Sequence, residues 1–324
     1  MGTELGAATV RTATHDDADL ETLAGIVRRV RPYDPLTLDD LRWEDRTYPG
    51  TVRFLAEANG RVVAAATVGR IYMHPPEFPA LWATIDVVPE ARRAGIGSAL
   101  LAATSNRALE LGKPELFIGA NEANPEGIDF LLHRGFRELE RAKSVELPLA
   151  GLMPPIVAPP AGIELTTLAE RPDLVEGVHA VAQETFGDIP GGDDPVSAGD
   201  LDEFRARDVD RPNVPPDAFF VAIETETGRV VGYASLLLAT ATSPRWAWHD
   251  MTAVVRRWRG RGVAGSLKRA TIGWAIANGL DALRTGNDVD NAPMRAINAR
   301  LGYRPLPDIL TMRGPAKPAI MDRA

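Results

Sequence analysis

Not one cysteine occurs in the 324 residues. Disulfides, thiolate metal ligands and a cysteine nucleophile are thereby excluded, and the chain suits a reducing compartment. Long apolar runs are missing too: nothing approaches the roughly 18 uninterrupted apolar residues of a membrane span. The opening residues, M-G-T-E-L-G-A-A-T-V-R, lack a basic head followed by an apolar stretch, so no secretory signal is visible. These absences lead us to expect a cytoplasmic protein with no membrane partner. Positive charge is in deficit, with 36 Lys+Arg against 44 Asp+Glu and a net charge of −8. That balance argues against nucleic acid as the main partner. It favours solubility and, secondarily, the steering of cations.

What is present is one cassette, twice. Residues 86–104 read D-V-V-P-E-A-R-R-A-G-I-G-S-A-L-L-A-A-T, and residues 253–271 read A-V-V-R-R-W-R-G-R-G-V-A-G-S-L-K-R-A-T. Arg92 answers to Arg259, Gly95 to Gly262, Leu100 to Leu267 and Thr104 to Thr271, always 167 positions apart. The register continues without a gap through Gly112 and Gly279, Leu116 and Leu283, and Asn124 and Asn291. It ends at Gly135-Phe136 over Gly302-Tyr303. A chance glycine-rich stretch would not keep its downstream landmarks in step. The chain reads as a duplicated domain, which its length also suggests.

The stretch 148–162, P-L-A-G-L-M-P-P-I-V-A-P-P-A-G, is dense in proline and should run as an extended connector. It places one domain in 1–147 and the other in 163–324. Each half opens with a β-prone run (9–14; 163–168) and a helix. A hairpin follows, around A-N-G-R in the first half and T-E-T-G-R in the second. An apolar run (81–88; 248–255) then feeds the glycine cassette, and a helix follows with Gly112 or Gly279 placed for a left-handed cap. A strand, an asparagine-bearing loop and a last helix complete the unit. The fold class is therefore α/β, or mixed α+β, with a mixed sheet in each half. The segments 31–50 and 187–216 read as irregular loops, of the kind that build acceptor pockets.

A strand that ends in R-x-x-G-x-G or R-x-x-G-x-A and opens a helix can cradle an anion. Glycine lets successive N–H groups turn inward, and the helix N-terminus adds unpaired donors and partial positive charge. A diphosphate is the natural guest, with Arg92, Arg93, Arg259 and Arg261 placed to screen it. One decoy is present: G-R-G-V-A-G at 260–265 matches G-x-G-x-x-G, with Asp281 about 20 residues on, as a nicotinamide dinucleotide site requires. In the first copy Arg93 and Ser98 replace two of those glycines and Pro114 replaces Asp281. The shared pattern is R-x-x-G-x-small, which leaves an NAD-binding protein as a remote alternative.

The runs V-x-P-E-A-R-R-A-G-I-G-S-A-L-L and R-G-R-G-V-A-G-S-L-K resemble the acetyl-coenzyme A loop of the GNAT superfamily of N-acetyltransferases. N-P-E-G-I-D-F-L-L-H-R-G-F and N-A-P-M-R-A-I-N-A-R-L-G-Y are similar to that family's second cofactor segment. The resemblance covers nearly the whole chain as two lobes, as in tandem acetyltransferases of the mycothiol synthase kind. It implies two GNAT-like domains, each a splayed mixed sheet flanked by helices, that use acetyl-CoA. It further implies that the strand ends Ile85, Asp86 and Val87, or Thr252, Ala253 and Val254, pair with the pantetheine arm. Loop amides of Arg93, Ala94, Gly95, Ile96, Gly97 and Ser98, or Gly260, Arg261, Gly262, Val263, Ala264 and Gly265, would hold the diphosphate. Asn124 or Asn291 would approach the far end of the arm.

Acetyl transfer to an amine needs a base and a group that protonates the departing thiolate. The family's frequent tyrosine acid, four residues before the Gly-aromatic pair, is here Leu131 and Asn298; the alternatives are Tyr72, Tyr233 or a proton taken by the coenzyme A thiolate from solvent. The candidate bases lie on or beside the splayed strand: Asp250, acting through water with His249 beside it, and Asp86. The second lobe carries the denser basic run (Arg256, Arg257, Arg259, Arg261, Lys268, Arg269) and is the expected catalytic copy. The expected activity is acetyl transfer to a primary amine of a small molecule or a peptide N-terminus, with no metal. A non-catalytic acyl-CoA-binding sensor or interaction protein is the alternative, motivated by the missing tyrosines.

Overall fold

The computed structural model describes residues 8–34, 36–189, 194–239 and 245–317. It forms two compact units, Met1–Arg141 with Ile309–Ala324, and Ala142–Asp308.

The first unit begins with β1 (Thr9–Thr12), α1 (Asp17–Val30) and α2 (Leu38–Thr47). Asp16 caps α1 by accepting from the Asp19 N–H, while Asp17 and Asp19 at its start and Arg28 and Arg29 at its end complement the helix dipole. Thr37 and Asp40 form a reciprocal capping box on α2. That box makes a helix of a segment the sequence pattern assigns to a loop. β2 (Val52–Ala58) and β3 (Arg61–Arg70) form a hairpin whose turn residues Asn59 and Gly60 both have positive φ, as a two-residue turn of this kind demands. There follow β4 (Ala80–Val87), α3 (Ile96–Glu110), β5 (Glu115–Asn121) and α4 (Pro125–Leu132). Pairing is antiparallel from β1 to β4, and β4 then runs parallel to β5. Leu20, Leu23 and Val27 of α1 pack with Leu55 and Ala64 of the sheet and Ile96 and Leu100 of α3 in one fully buried cluster.

The second unit repeats this plan with β7 (Ile163–Thr167), α5 (Val175–Thr185), β8 (Phe220–Glu224), β9 (Val230–Leu238), β10 (Trp246–Val254), α7 (Val263–Ala277), β11 (Ala282–Asp288) and α8 (Ala292–Arg300). Between α5 and β8 the described part of 187–216 is largely irregular, as expected, but contains two helical turns. It forms α6 (Leu201–Phe204) and a π-helical turn, Arg205–Val209, closed by Asp210 N–H donating to the Arg205 carbonyl at 2.8 Å. Phe204 is wholly buried, and Asn213 exchanges backbone and side-chain hydrogen bonds with Leu238 of β9.

Each sheet takes its last strand from the other half of the chain. Beyond β5 the first unit adds β13 (Ile309–Pro315), antiparallel from Ile309 opposite Asn121 to Pro315 opposite Glu115. Beyond β11 the second unit adds residues 142–148 of β6 (Arg137–Pro148), antiparallel from Pro148 opposite Ala282 to Ala142 opposite Asp288. The pair β12 (Arg304–Pro305) also lies on β6. The compact units therefore do not coincide with 1–147 and 163–324, because an open edge at β5 or β11 would leave a row of backbone donors and acceptors unpaired. The proline-rich connector after Pro148 has no regular structure and belongs to the second unit, where Ser266 donates to the Ala158 carbonyl at 3.0 Å.

Candidate functional site

In both units the parallel strand pair opens into a fork. β4 pairs with β5 only over Ala80–Ala83, and β10 with β11 only over Trp246–Trp248. Beyond those points Ile85, Asp86 and Val87, or Thr252, Ala253 and Val254, keep antiparallel partners on β3 or β9 alone. Their other edge carries backbone groups available to an extended guest.

The glycine cassette closes each fork. A 3₁₀ turn (Pro89–Ala91; Arg256–Trp258) leads from the strand to the helix. Gly95 (φ +78°) and Gly262 (φ +93°) are left-handed and stand directly before α3 and α7. Neither helix has a side-chain cap, whereas α1, α2, α4 and α8 all do. The donors at the N-termini of α3 and α7, including those of Ile96 and Gly97 and of Val263 and Ala264, are thus left for another partner. A methyl group added at Gly95, Gly260 or Gly262 would meet nothing within 4 Å. The space beside the loop is open, and the residues suit an anion such as a diphosphate. At the position of Gly260, the first unit holds Arg93 at φ +64°, a conformation costly for a residue with a side chain. Ala94 and Arg261 lie between the left-handed residues, and Arg261 stacks 5.0 Å from the Trp258 ring centroid. Ser98 accepts from Arg134 at 2.7 Å; its counterpart, Gly265, lies against the Arg269 guanidinium.

The leading arginine of each motif turns back to the strand. Arg92 donates to the Val87 carbonyl at 3.3 Å and Arg259 to the Val254 carbonyl at 2.9 Å. Arg259 also pairs with Asp188 at 2.7 Å. These arginines brace the loop. Asn124 and Asn291 likewise have structural tasks: each caps a helix, accepting from Gly127 N–H at 3.2 Å and Met294 N–H at 3.3 Å.

The candidate bases have different surroundings. Asp86 is 3% exposed and holds Arg31 through two hydrogen bonds, at 2.9 and 3.2 Å. Burial raises its pKa while Arg31 opposes the rise. It is committed to an ion pair. His249 is 2% exposed, with Nδ1 2.7 Å from the Tyr303 hydroxyl and Nε2 against Thr271 Oγ1. Thr271 donates to the Lys268 carbonyl, so Nε2 carries the proton and Nδ1 accepts from Tyr303 in the arrangement that satisfies every group. Burial and then Lys268 push its pKa well below the usual histidine value. His249 belongs to the core and does not face the same way as Asp250.

Asp250 has a distinct setting. A β-bulge interrupts the β9–β10 register between His249 and Thr252, and Asp250 lies within it. The extra residue turns the Asp250 side chain to solvent while densely packed protein around it raises its pKa, against the pull of Arg211 and Arg207. The carboxylate has no hydrogen bond or ion pair among the described residues. β4 carries no bulge, and Ala83 stands at the corresponding position.

Sequence reasoning missed one residue whose titration responds to the charge of Asp250. Asp208, on the π-helical turn, pairs with Arg207 at 2.7 Å. Its pKa is pushed up to about 6 by burial, with Arg207 opposing and Asp250 reinforcing the rise. Nothing in the Gly-, Asp- and Pro-rich run 187–216 distinguishes this aspartate from its neighbours.

At the tyrosine position of the resemblance, Leu131 is 4% exposed in the apolar core and Asn298 donates to Asn287 at 2.6 Å. Tyr72 stands beside Tyr48 and Arg70 in the first unit. Tyr233 is 2% exposed, stacks on Phe219 and feels both Asp208 and Asp250. No group of three or more potential metal-binding side chains occurs among the described residues. Among the same residues, no helix is long and apolar enough to cross a membrane.

A forked mixed sheet with an uncapped, glycine-led helix at the fork, present twice, defines an acyltransferase class. The model of the acetyltransferase (GNAT) family matches residues 20–136 and again 181–303, and the chain belongs to that family. A solved tandem GNAT protein from the clavulanic acid biosynthesis pathway shares 21% identity and a TM-score of 0.77, covering 97% of this chain and 100% of its own. A GCN5-related N-acetyltransferase from Sphaerobacter thermophilus shares 19% identity and a TM-score of 0.70, covering 97% of each chain. Among curated proteins nothing matches. The dinucleotide alternative falls with the fold: each unit has one short parallel pair in a mainly antiparallel sheet, not a doubly wound parallel one.

Proposed function

We propose that the second unit transfers an acetyl group from acetyl-CoA to a primary amine of a small molecule or a peptide N-terminus. One juxtaposition supports this reading: the uncapped start of α7 and the unpaired edge of β10 meet beside a bulge that presents Asp250. The N–H groups of Gly260 to Gly265 would hold the diphosphate, and Thr252 to Val254 would pair with the pantetheine arm. The thioester supplies the activated acyl group. Asp250, unpaired and at the bend of the same strand, would take the proton that an ammonium must lose before it can attack. The first unit keeps the loop and the open edge but has Ala83, Leu131 and an Arg31-bound Asp86. It fits acyl-CoA binding without turnover, and it would then support the second unit.

Calorimetry and thermal unfolding with acetyl-CoA, followed by thiol-release screening against amines, test the reading. A ligand at 100 times its Kd stabilises by about 2.7 kcal/mol. Tight binding of NAD together with no binding of acetyl-CoA would overturn it.

A further inference from the structure

The proline-rich connector is pinned along the second unit and ends beside its glycine loop. Leu149 N–H donates to the carbonyl of Asp281, the residue before β11, at 2.8 Å. Further on, the Ala158 carbonyl lies 3.0 Å from Oγ of Ser266, in the first turn of α7. The same hydroxyl is 3.2 Å from the carbonyl of Gly262, the left-handed glycine of the loop. Ser266 is buried, so its hydroxyl serves this anchor and not solvent. At the end of the connector Gly162 lies against Trp258, where a Cβ would stand 3.7 Å from the ring Cη2. Arg261 stacks 5.0 Å from the centroid of that same ring. The connector is thus a strap along one border of the loop.

The strap carries a cluster of outward apolar side chains. Among the described residues nine large apolar side chains are exposed, and four of them, Leu152, Met153, Ile156 and Val157, lie on this segment. Met153 and Ile156 are 85% and 86% exposed, whereas none of the others passes 48%. Single exposed apolar residues need no explanation, but a cluster marks a contact surface. Ile156 is two residues from the anchored Ala158, a reach of about 7 Å at most. In the first unit Ala91, Ala94 and Ala99 stand at the positions of Trp258, Arg261 and Ser266. That loop has neither the ring, nor the guanidinium, nor the anchoring hydroxyl.

We infer that the strap is the rest for the adenine of an acyl-CoA held by the second loop, with Ile156 and Val157 against the base. This rests on reading the second unit as the acyl-CoA unit. In acyl-CoA the adenosine follows directly on the diphosphate. A diphosphate on the amides of Gly260 to Gly265 therefore leaves the base at the border of the loop, where the strap runs. A purine has apolar faces that gain from contact with aliphatic side chains and from a guanidinium plane such as that of Arg261. Proline stiffens the strap and Ser266 anchors it, so little order has to be gained on binding. The pantetheine arm leaves the diphosphate in the other direction, into the fork, and does not meet the strap. The strap accordingly makes the second loop selective for the nucleotide-bearing thioester.

The test is calorimetry on the full chain carrying Gly95→Val, so that the second loop alone reports. It compares acetyl-CoA with the S-acetylated 4′-diphosphate of pantetheine, which keeps the arm and the diphosphate but lacks the adenosine. Acetyl-CoA should bind about tenfold more tightly than the shorter thioester. Ile156→Ser combined with Val157→Ser should remove most of that advantage and leave the shorter thioester within about twofold of its former affinity. Ser266→Ala, which frees the strap, should act in the same direction by about three- to fivefold. Ile156 makes little contact with the protein itself, so its replacement reports on binding and not on folding, and thermal unfolding of each variant verifies this. Unchanged acetyl-CoA affinity in the double serine variant overturns the inference and leaves the apolar cluster to a protein partner. Equal losses for the two thioesters overturn it as well, because the strap would then only shape the loop. If the chain without Gly95→Val binds neither thioester, the reading on which the inference rests fails instead.

Discussion

Lys268 is 1% exposed on α7, with its ammonium 5.5 Å from the centroid of the Tyr303 ring. Burial pushes its pKa down to about 7 from 10.5, a penalty on the charged form of about 5 kcal/mol. Below pH 7 both folded and unfolded chains hold the proton, and the cost is fully present. Between pH 7 and 10.5 the unfolded chain retains a proton that the folded one has released, so stability rises with pH. His249 acts in the same direction at lower pH: below about 6.5 the unfolded chain takes a proton that the buried imidazole refuses. Leu101 occupies the corresponding place in the first unit. We predict that Lys268→Met stabilises the protein by several kcal/mol at pH 7 and removes most of the slope between pH 7 and 9 (on the order of the penalty above). Urea unfolding at pH 6, 7.5 and 9 measures both effects. An unchanged slope would show that the ammonium finds a partner.

The two cassette helices start differently from α1, α2, α4 and α8, each of which carries a capping side chain. A capping side chain would satisfy the first N–H groups and fill the place of an anion, and both copies instead use left-handed glycine. Gly262→Val faces no steric obstacle, because the space is open; its penalty is the left-handed backbone, about 1–2 kcal/mol. The loop should relax out of that conformation and lose acetyl-CoA binding while the chain stays folded. Arg259→Ala removes only a brace on the Val254 carbonyl and the pairing with Asp188, so its loss in affinity should be about tenfold or less, near 1.4 kcal/mol. Calorimetry on both variants ranks the two effects, and equal losses would give Arg259 a direct role in holding phosphate.

At the scale of the whole molecule, the exchange of strands decides what can be separated. A fragment of residues 1–147 lacks β13, and one of residues 163–324 lacks the β6 segment that pairs with β11. Expressed singly, each should be poorly folded, with a weak and broad thermal transition; co-expressed, they should recover one cooperative assembly. Two sharply melting single fragments would contradict this. The units are also unequal. Gly262→Val should abolish acetyl transfer, and Gly95→Val should spare most of it in a protein of unchanged melting temperature. The reverse result would make the first unit the catalytic one.

The duplication, the glycine loops and the strand-to-helix order were legible in the sequence because they depend on local rules. A left-handed residue needs glycine, a two-residue hairpin turn needs Asn-Gly, and core faces repeat with the period of their element. The expected strand ends Ile85–Val87 and Thr252–Val254 do border the forks. Three matters were decided only by tertiary structure. Which strand completes which sheet depends on pairing between residues as far apart as Glu115 and Pro315. That His249 points to the core while Asp250 meets solvent depends on a one-residue bulge set by the partner strand. That Asp208 feels the charge of Asp250 depends on an insertion whose composition reads as loop. Local spacing fixes what a segment can form; long-range pairing and burial fix which side chains then meet.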